Sequence, residues 1–346
     1  MNIAQLAGWL PIRVYWPDAA APTQPMVDWL YLGEGRLTDP FFEQTITSQM
    51  RQPFHLLFRH QTPMETLAEL RERRPGLPLR GFIFHMSRCG STLISQMLAA
   101  LPQSVVLSEA PPIDTVLRAR FRGPELTGER RVAWLQWIVN ALAQPRRGGE
   151  TQCFIKFDSW HVADLSLIHS AFPDTPWVFL YRDPVEVMVS HANHRGAQMI
   201  QGVLEPEIFG LELAAVRRMP FEEYCARVIG SFCEAALRHR GAGKGSLLDY
   251  RRLPAAVPDL VSEHFGVNLD ESDLEQMRSA ARFHAKNPVI EFVADAEVKQ
   301  REATEAMRRM AERWAYPVYQ RLENGCEIDG SDYDAELRST SAQLRS

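Results

Sequence analysis

Short apolar runs alternate along the chain with stretches in which apolar residues recur every three or four positions. Residues 82–84, 104–107, 153–157 and 177–181 are short apolar runs of this kind and predict buried strands. A helical pattern follows most of them, as it does from Ser91 onward. Strands that alternate with helices in this way are typical of an α/β domain with a central parallel sheet.

The loop after the first of these strands carries the clearest chemistry. Residues 85–90 are small and polar, and Gly90 stands just before the helix that Ser91 begins. A strand that leads through such a loop into a helix presents free backbone N–H groups and the positive end of the helix dipole. We therefore predict an anion site here, most naturally for phosphate. The alternative is a tight turn that binds nothing.

This loop differs from an ordinary ATP or GTP loop. Aligned on Gly90 and Thr92, the Walker pattern requires glycine and lysine at two positions that His85 and Ser91 occupy here. Arg88 nevertheless places a fixed positive charge inside the loop. The pattern still favours an anion as the ligand.

The last of the four strands ends in a second basic group. Arg182 follows it directly, Asp183 can cap the next helix, and Ser190 lies about two turns into that helix. Ligands of parallel α/β sheets bind at the carboxyl ends of the strands, so Arg182 and Arg88 should lie on one rim. The alternative is that Arg182 pairs with a carboxylate such as Asp183 or Glu186 and holds the turn.

Together, these two stretches resemble the sulfotransferase family, which uses 3′-phosphoadenosine-5′-phosphosulfate (PAPS). The family's phosphosulfate loop has the form R-S-G-S/T-T, which the chain matches with Cys89 where Ser is more usual. The family's second hallmark is R-D-P-x-x-x-x-x-S, whose Arg and Ser hold the 3′-phosphate, and the chain matches it about ninety residues further on. The resemblance covers about residues 80–325. It implies that the nucleotide is bound by Ser87, Arg88, Cys89, Gly90, Ser91, Thr92, Arg182 and Ser190, with Lys286 as a further contact to the 3′-phosphate.

The resemblance also implies catalytic residues. Glu109 follows the strand at 104–107, where tyrosylprotein-type sulfotransferases carry their catalytic Glu, and is the first candidate for general base. Lys156 falls where the family has a lysine that stabilises the transferring group, and Arg88 would help it neutralise charge. Asp158 stands where some cytosolic members have a catalytic His, so it is the second candidate base. The alternative for Glu109 is a local cap or salt bridge.

The resemblance implies a P-loop-containing-NTPase-like three-layer fold for residues 80–325. We interpret residues 1–79 as an N-terminal α+β extension that packs on this domain, in a position that can cover the acceptor pocket, and residues 326–346 as a polar C-terminal tail. For the extension we expect strands at 12–16 and 27–32 and helices at 41–50 and 64–74.

Composition narrows the class of protein further. The net charge of −5 argues against nucleic acid as a partner, and no apolar run approaches the ~18 residues of a membrane span. The five cysteines are scattered without metal spacing, which favours reduced thiols in a cytoplasmic protein. The histidines form no metal-binding pattern, and we expect no metal.

The implied activity is in-line transfer of the sulfuryl group from PAPS to a hydroxyl or amine, with 3′,5′-adenosine bisphosphate (PAP) as product. The acceptor stays open among small molecules, carbohydrates and peptides, and the sequence does not predict the oligomeric state. Two alternatives remain: a P-loop-type nucleotide-dependent kinase, which would need Mg²⁺ and a loop lysine, and a nucleotide-binding regulatory protein that has lost its chemistry.

Overall fold

The structure is a computed structural model. The structure describes residues 3–18, 21, 23–123, 126–284, 287–291 and 296–324. Two sequence predictions, the 3′-phosphate contact of Lys286 and the polar tail at 326–346, lie outside the described residues. Within the described ranges, no helix is both long enough and apolar enough to cross a bilayer.

Ten strands and fifteen α-helices, with short 3₁₀ and π helices between some of them, form the described parts of the chain. The strands are β1 (Trp9–Tyr15), β2 (Met26–Tyr31), β3 (His60–Pro63), β4 (Leu79–His85), β5 (Ser104–Ser108), β6 (Gln152–Lys156), β7 (Trp177–Tyr181), β8 (Gly245–Asp249), β9 (Phe283–His284) and β10 (Asn287–Glu291). The helices are α1 (Phe42–Met50), α2 (Pro53–Leu57), α3 (Thr66–Arg73), α4 (Ser91–Ala100), α5 (Pro111–Leu117), α6 (Gly128–Leu142), α7 (Leu165–Ala171), α8 (Pro184–Asn193), α9 (Leu213–Val216), α10 (Phe221–Arg238), α11 (Val257–Asp259), α12 (Glu271–Ala281), α13 (Ala296–Glu302), α14 (Glu305–Trp314) and α15 (Tyr316–Glu323).

A five-stranded parallel sheet in the order β5-β6-β4-β7-β8 lies at the centre. Every residue of β5, β6 and β7 is buried, so helices cover both faces of the sheet. This arrangement confirms the predicted α/β fold with a central parallel sheet. Because β4 is the middle strand, the loop that follows it lies between the ends of β6 and β7.

Local sequence explains how the two helices next to this loop begin. Gly90 precedes α4 with a φ of 88°, a left-handed conformation that glycine adopts without steric cost. Asp183 precedes α8, and its side chain accepts the backbone N–H of Glu186 at 3.1 Å while Pro184 occupies the first helical position. Both helix starts therefore lie where the sequence predicts them.

The N-terminal segment forms an antiparallel sheet of β1, β2 and β3 with short helices around it. It packs on the central domain: the Trp16 and Trp134 rings lie 6.3 Å apart, and Arg36 donates to the carbonyl oxygens of Ala99 and Leu101. Strands β1 and β2 and helices α1 and α3 appear within a few residues of their predicted positions.

Short elements divide two stretches in the later part of the chain. Within residues 296–323, Thr304 starts a new helix by accepting the N–H of Met307 at 3.2 Å. Residues 200–215 contain a short 3₁₀ helix at Pro206–Phe209 and the start of α9.

Candidate active site

A cavity of about 410 Å³ opens at the carboxyl ends of the central strands. Four segments that the sequence singled out meet in its wall: the loop after β4, the residue after β5, the residues after β6 and the β7–α8 turn. The lining residues include Phe41, His85, Ser87, Arg88, Cys89, Gly90, Ser91, Thr92, Glu109, Asp158, Trp160, Arg182, Ser190, Gln198, Tyr250 and Lys299. The volume falls within the range of small-molecule and nucleotide sites.

Unusual backbone conformations concentrate in this cavity. Across the described residues, the non-glycine residues with positive φ are Ser87 at 73°, Arg88 at 53° and Glu109 at 54°. All three line the cavity. Such conformations cost of order 1–3 kcal/mol each and persist where the surrounding structure holds them, most often at functional sites.

His85, which occupies the first glycine position of the Walker pattern, holds the loop in shape. The buried ring accepts the N–H of Ser87 through Nδ1 at 3.1 Å, and Nε2 lies 3.0 Å from the carbonyl oxygen of Phe157. Burial lowers the pKa of His85, against the opposing effect of Glu109. We infer that His85 is neutral and donates to Phe157 through Nε2. Its two hydrogen bonds then stabilise the conformation of the loop.

The loop is also tied to the segment after α8. The hydroxyl oxygen of Ser87 accepts Gln198 Nε2 at 2.9 Å and lies 3.1 Å from His191 Nε2. Arg88 donates to the carbonyl oxygen of His194 at 2.6 Å. His194 is exposed and takes part through its backbone. The loop and the residues at 191–198 therefore form one hydrogen-bonded unit.

The remaining loop residues offer backbone groups and hydroxyls. The Cys89 side chain is fully buried and donates to the carbonyl oxygen of Leu180, and burial raises the pKa of its thiol to about 12. Cys89 can therefore serve a ligand only through its backbone N–H. Ser91 and Thr92 line the cavity at the first turn of α4, where helix N–H groups favour an anion.

Arg182 faces the cavity but is also engaged within the protein. Its Nε lies 2.6 Å from Glu186 Oε2, its Nη1 lies 3.4 Å from the carbonyl oxygen of Arg88, and its guanidinium stacks 4.0 Å over the Tyr250 ring. Ser190 lines the same cavity. The geometry is compatible with both roles considered for Arg182 from the sequence. Arg182 pairs with Glu186, and it also lines the cavity in which the 3′-phosphate is expected.

Glu109 and Lys156 form an ion pair at the opposite side of the loop. Lys156 is completely buried, with Nζ 2.5 Å from Glu109 Oε1 and 4.6 Å from the centre of the Phe41 ring. Burial acts to raise the pKa of Glu109, but the ammonium of Lys156 and the ring of His85 hold it well below its ordinary value. Glu109 lines the cavity, whereas Lys156 lies behind it.

Asp158 belongs to a second polar cluster after β6. Burial raises the pKa of Asp158 to about 8, reinforced by Glu109 and Asp114 and opposed by His161. His161 Nε2 lies 2.9 Å from Asp114 Oδ1, which also accepts the Trp160 indole N–H at 2.7 Å. Asp114, Asp158 and His161 are near enough to share an ion. The Trp160 and His161 nitrogens already engage Asp114 Oδ1 in this cluster.

Sequence reasoning missed several lining residues because they come from distant segments. Phe41 belongs to the N-terminal extension, Tyr250 follows β8, and Lys299 lies on α13. No local motif marks them. A second, larger groove of about 910 Å³ lies between the extension and α6, and Trp134 and Trp137 are among the residues that line it.

Residues 82–205 match the profile described as the Sulfotransferase family. The match spans β4 to the segment after α8 and includes the loop, Glu109, Lys156, Arg182 and Ser190. The match supports a sulfotransferase-family domain in this part of the chain. None of the curated proteins compared with the chain matches it.

Solved bacterial sulfotransferases resemble the chain at low identity. The Mycobacterium tuberculosis H37Rv sulfotransferase STF1 is 15% identical over 73% of this chain and 81% of its own, with a TM-score of 0.42. Sulfotransferase STF9 from Mycobacterium avium is 14% identical over 77% and 81%, with a TM-score of 0.43. The Alicyclobacillus acidocaldarius enzyme is 15% identical over 74% and 98%, with a TM-score of 0.42. The roles of individual residues therefore rest on the geometry of the site.

Proposed function

We propose that the protein transfers the sulfuryl group of PAPS to a hydroxyl or amine of an acceptor. One observation carries the proposal: a single cavity is lined by an anion-type loop, by Arg182 with Ser190, and by Glu109 paired with Lys156. The family profile covers all of these residues and supports sulfotransferase activity in general. The choice of PAPS as donor is the further step proposed here.

The residues fit a nucleotide that carries two separate anionic groups. The backbone of the loop and the first turn of α4 suit the phosphosulfate, and Arg88 adds a positive charge beside them. Arg182 and Ser190 stand on the β7 side of the loop and suit the 3′-phosphate. Lys299 lines the same cavity and adds a second cation. Arginine suits such a group because its planar fork matches phosphate oxygens.

In the proposed reaction, the acceptor oxygen or nitrogen attacks sulfur in line with the departing 5′-phosphate oxygen. The new bond to sulfur forms as the sulfur–oxygen bond to the nucleotide breaks, and PAP leaves with the electron pair. The acceptor proton passes to a carboxylate, which we assign to Glu109 because it is ionised and faces the cavity. Arg88 and the loop N–H groups stabilise the charge that develops on the leaving group.

The two alternative classes make different demands. A P-loop kinase needs a loop lysine and Mg²⁺, whereas Ser91 occupies the lysine position. An inactive nucleotide-binding protein has no use for a strained carboxylate in the site. Glu109 keeps a positive φ and a buried lysine partner, which supports retained chemistry.

A transfer assay with sulfur-labelled PAPS tests the proposal. Purified protein is incubated with an extract of small molecules, glycans and peptides in the presence of EDTA, with the Glu109→Gln variant as the matched control. We expect labelled product from the wild-type protein and a roughly 10²–10⁴-fold lower rate from the variant. Absence of label transfer, combined with Mg²⁺-dependent transfer of phosphate from ATP, would favour the kinase.

A further inference from the structure

The cavity has two chemically different ends, set by the order of the strands. Arg182 and Ser190 follow β7 on one side of the central strand β4, whereas Glu109 and Asp158 follow β5 and β6 on the other. The cations that line the β7 side suit the donor nucleotide. The carboxylates on the β6 side mark the end at which the acceptor must lose its proton.

Two aromatic side chains form walls of the carboxylate end. The Phe41 ring lies 4.6 Å from Lys156 Nζ, beside Glu109, and is half-buried in the cavity wall. Trp160 lines the cavity two residues after Asp158, and its indole N–H is fixed on Asp114 at 2.7 Å. The acceptor end is therefore bounded by flat apolar rings next to the candidate base.

Phe41 is held in this position by the N-terminal extension. Arg36 donates to the carbonyl oxygens of Ala99 at 2.7 Å and Leu101 at 2.9 Å, which fastens the segment to the end of α4. Phe42, the next residue, is buried in the core. The extension lies outside residues 82–205, so this wall is supplied by a part of the chain that the family profile does not include.

The two carboxyl groups of the acceptor end carry little uncompensated negative charge at neutral pH. The negative charge of Glu109 is balanced by Lys156 at 2.5 Å. Burial raises the pKa of Asp158 to about 8, which keeps that carboxyl group largely protonated. A cationic acceptor therefore finds no uncompensated carboxylate here, and the positive charge of Arg88 is assigned to the donor. A neutral ring can pack against the aromatic walls.

We propose that Phe41 is a specificity-determining residue, and that the acceptor carries its hydroxyl on a neutral, flat ring system that packs between Phe41 and Trp160. This inference rests on the proposed sulfuryl transfer. The extension then acts as one wall of the acceptor site, and its aromatic side chain selects ring-bearing alcohols over polar sugars and anionic acceptors.

The test measures binding and transfer with defined probes: 2-naphthol as a neutral ring alcohol, N-acetylglucosamine as a polar sugar and 4-hydroxybenzoate as an anion. The protein is titrated with each probe in the presence of PAP, and KM and kcat are measured with PAPS. The variants are Phe41→Ala, Phe41→Leu and Phe41→Tyr. Phe54→Ala is the control, because Phe54 lies on α2 of the same extension, is 45% exposed and is outside the cavity lining.

Wild-type protein should bind 2-naphthol in preference to the other two probes. Phe41→Ala should weaken the binding of 2-naphthol by roughly 10- to 100-fold, and Phe41→Leu should weaken it by about 3- to 10-fold. In the transfer assay, both changes should appear mainly as a higher KM. Phe41→Tyr should restore binding, and PAP affinity should change less than about twofold in all variants. Phe54→Ala should match the wild type.

The outcomes separate this inference from the proposed function. If Phe41→Ala lost affinity equally for all three probes, or kept its affinity for 2-naphthol, the inference would be overturned. PAP binding and sulfuryl transfer by the wild-type protein would still support the proposed function. Preference of the wild type for the sugar or the anion would overturn it as well. Phe41-dependent binding of 2-naphthol without transfer from PAPS would support the ring site and contradict the proposed chemistry.

Discussion

Lys156 Nζ lies 2.5 Å from Glu109 Oε1, and the lysine is wholly excluded from solvent whereas the glutamate side chain is 23% exposed. Lys156 therefore influences the cavity through its ion pair with Glu109, which lines the cavity wall. This pair sits beside a loop in a strained conformation, with Glu109 itself at a φ of 54°. The finding links the candidate base and the candidate charge stabiliser into one unit.

Breaking this unit should affect folding and turnover differently. Glu109→Gln leaves a buried ammonium without its counter-charge, which typically costs about 3–5 kcal/mol of stability, and should lower kcat by about 10²–10⁴-fold. The double variant Glu109→Gln with Lys156→Met removes both charges and should recover much of the melting temperature without recovering turnover. Thermal melts and transfer kinetics together check this. Near-wild-type turnover in Glu109→Gln would remove Glu109 as the base.

The pH profile of kcat/KM should distinguish the two candidate bases. The pKa of Glu109 is held below its ordinary value, so a Glu109 base gives a flat profile through neutral pH. Burial raises the pKa of Asp158 to about 8, so an Asp158 base gives a rate that rises through that pH. We expect the flat profile, and a rise near pH 8 that disappears in Asp158→Asn would transfer the role to Asp158.

The raised pKa of Asp158 should also make the free energy of unfolding depend on pH. Because the folded-state pKa is raised, the contribution of Asp158 is fully present below its unfolded pKa of about 3.9 and is lost as the pH rises toward about 8. Asp158→Asn imitates the protonated form and escapes this loss. Its free energy of unfolding should therefore increase relative to the wild type between pH 5 and 8.

The core of the fold follows from local pattern. Strand β7 has the bounds that its apolar run predicts, and Asp183 caps α8 as expected, because both signals lie within a few residues. Helices α5 and α12 were not anticipated, since α5 starts with two prolines and α12 has a mostly polar sequence. The β3 strand has no apolar run of its own and forms by pairing with β2.

Arg182 should have both a structural and a binding role. Arg182→Ala loses the 2.6 Å contact with Glu186 and the stacking on Tyr250, so the protein without ligand should melt earlier. The affinity for PAP should also fall by roughly 10- to 150-fold, which corresponds to the loss of one or two hydrogen bonds to a charged group. Lysine should rescue PAP binding only in part, because it offers no planar fork.

Glu186→Gln is the matched control for this prediction. It keeps an oxygen that can accept from Arg182 Nε but removes the negative charge, so it should lower the melting temperature and retain PAP binding. Calorimetric titration and melts with and without PAP check both variants. An Arg182→Ala protein whose melting temperature still rises with PAP as in the wild type would assign Arg182 to structure alone.

His85 should stabilise the loop only while it is neutral. His85→Ala leaves the N–H of Ser87 and the carbonyl oxygen of Phe157 without their partner, at a cost of about 1–3 kcal/mol each. Burial lowers the folded-state pKa of His85, so its contribution is present above the unfolded pKa of about 6.5 and is lost as the pH falls below it. Urea unfolding should show a smaller difference between wild type and variant at pH 5.5 than at pH 7.5. A difference that does not depend on pH would contradict the inference that only neutral His85 stabilises the loop.

The site could be predicted only where its residues lie in short motifs. The loop at 87–92 and the pair of Arg182 and Ser190 carry their own spacing, so sequence brings them to one rim. Phe41 and Lys299 reach the same cavity from segments far along the chain, and only tertiary packing places them there. The role of His85 depends on a hydrogen bond two residues away within a strained turn, which no pattern of residue types encodes.

Calorimetric titration with PAP and with AMP, both in EDTA, tests the central claim most directly. PAP carries the 3′-phosphate that we assign to Arg182 and Ser190, and AMP lacks it. The account predicts that PAP binds at least about tenfold more tightly than AMP, since one hydrogen bond to a charged group is worth at least about 1.5 kcal/mol. Equal affinity for the two nucleotides, or binding that appears only when Mg²⁺ is added, would contradict it.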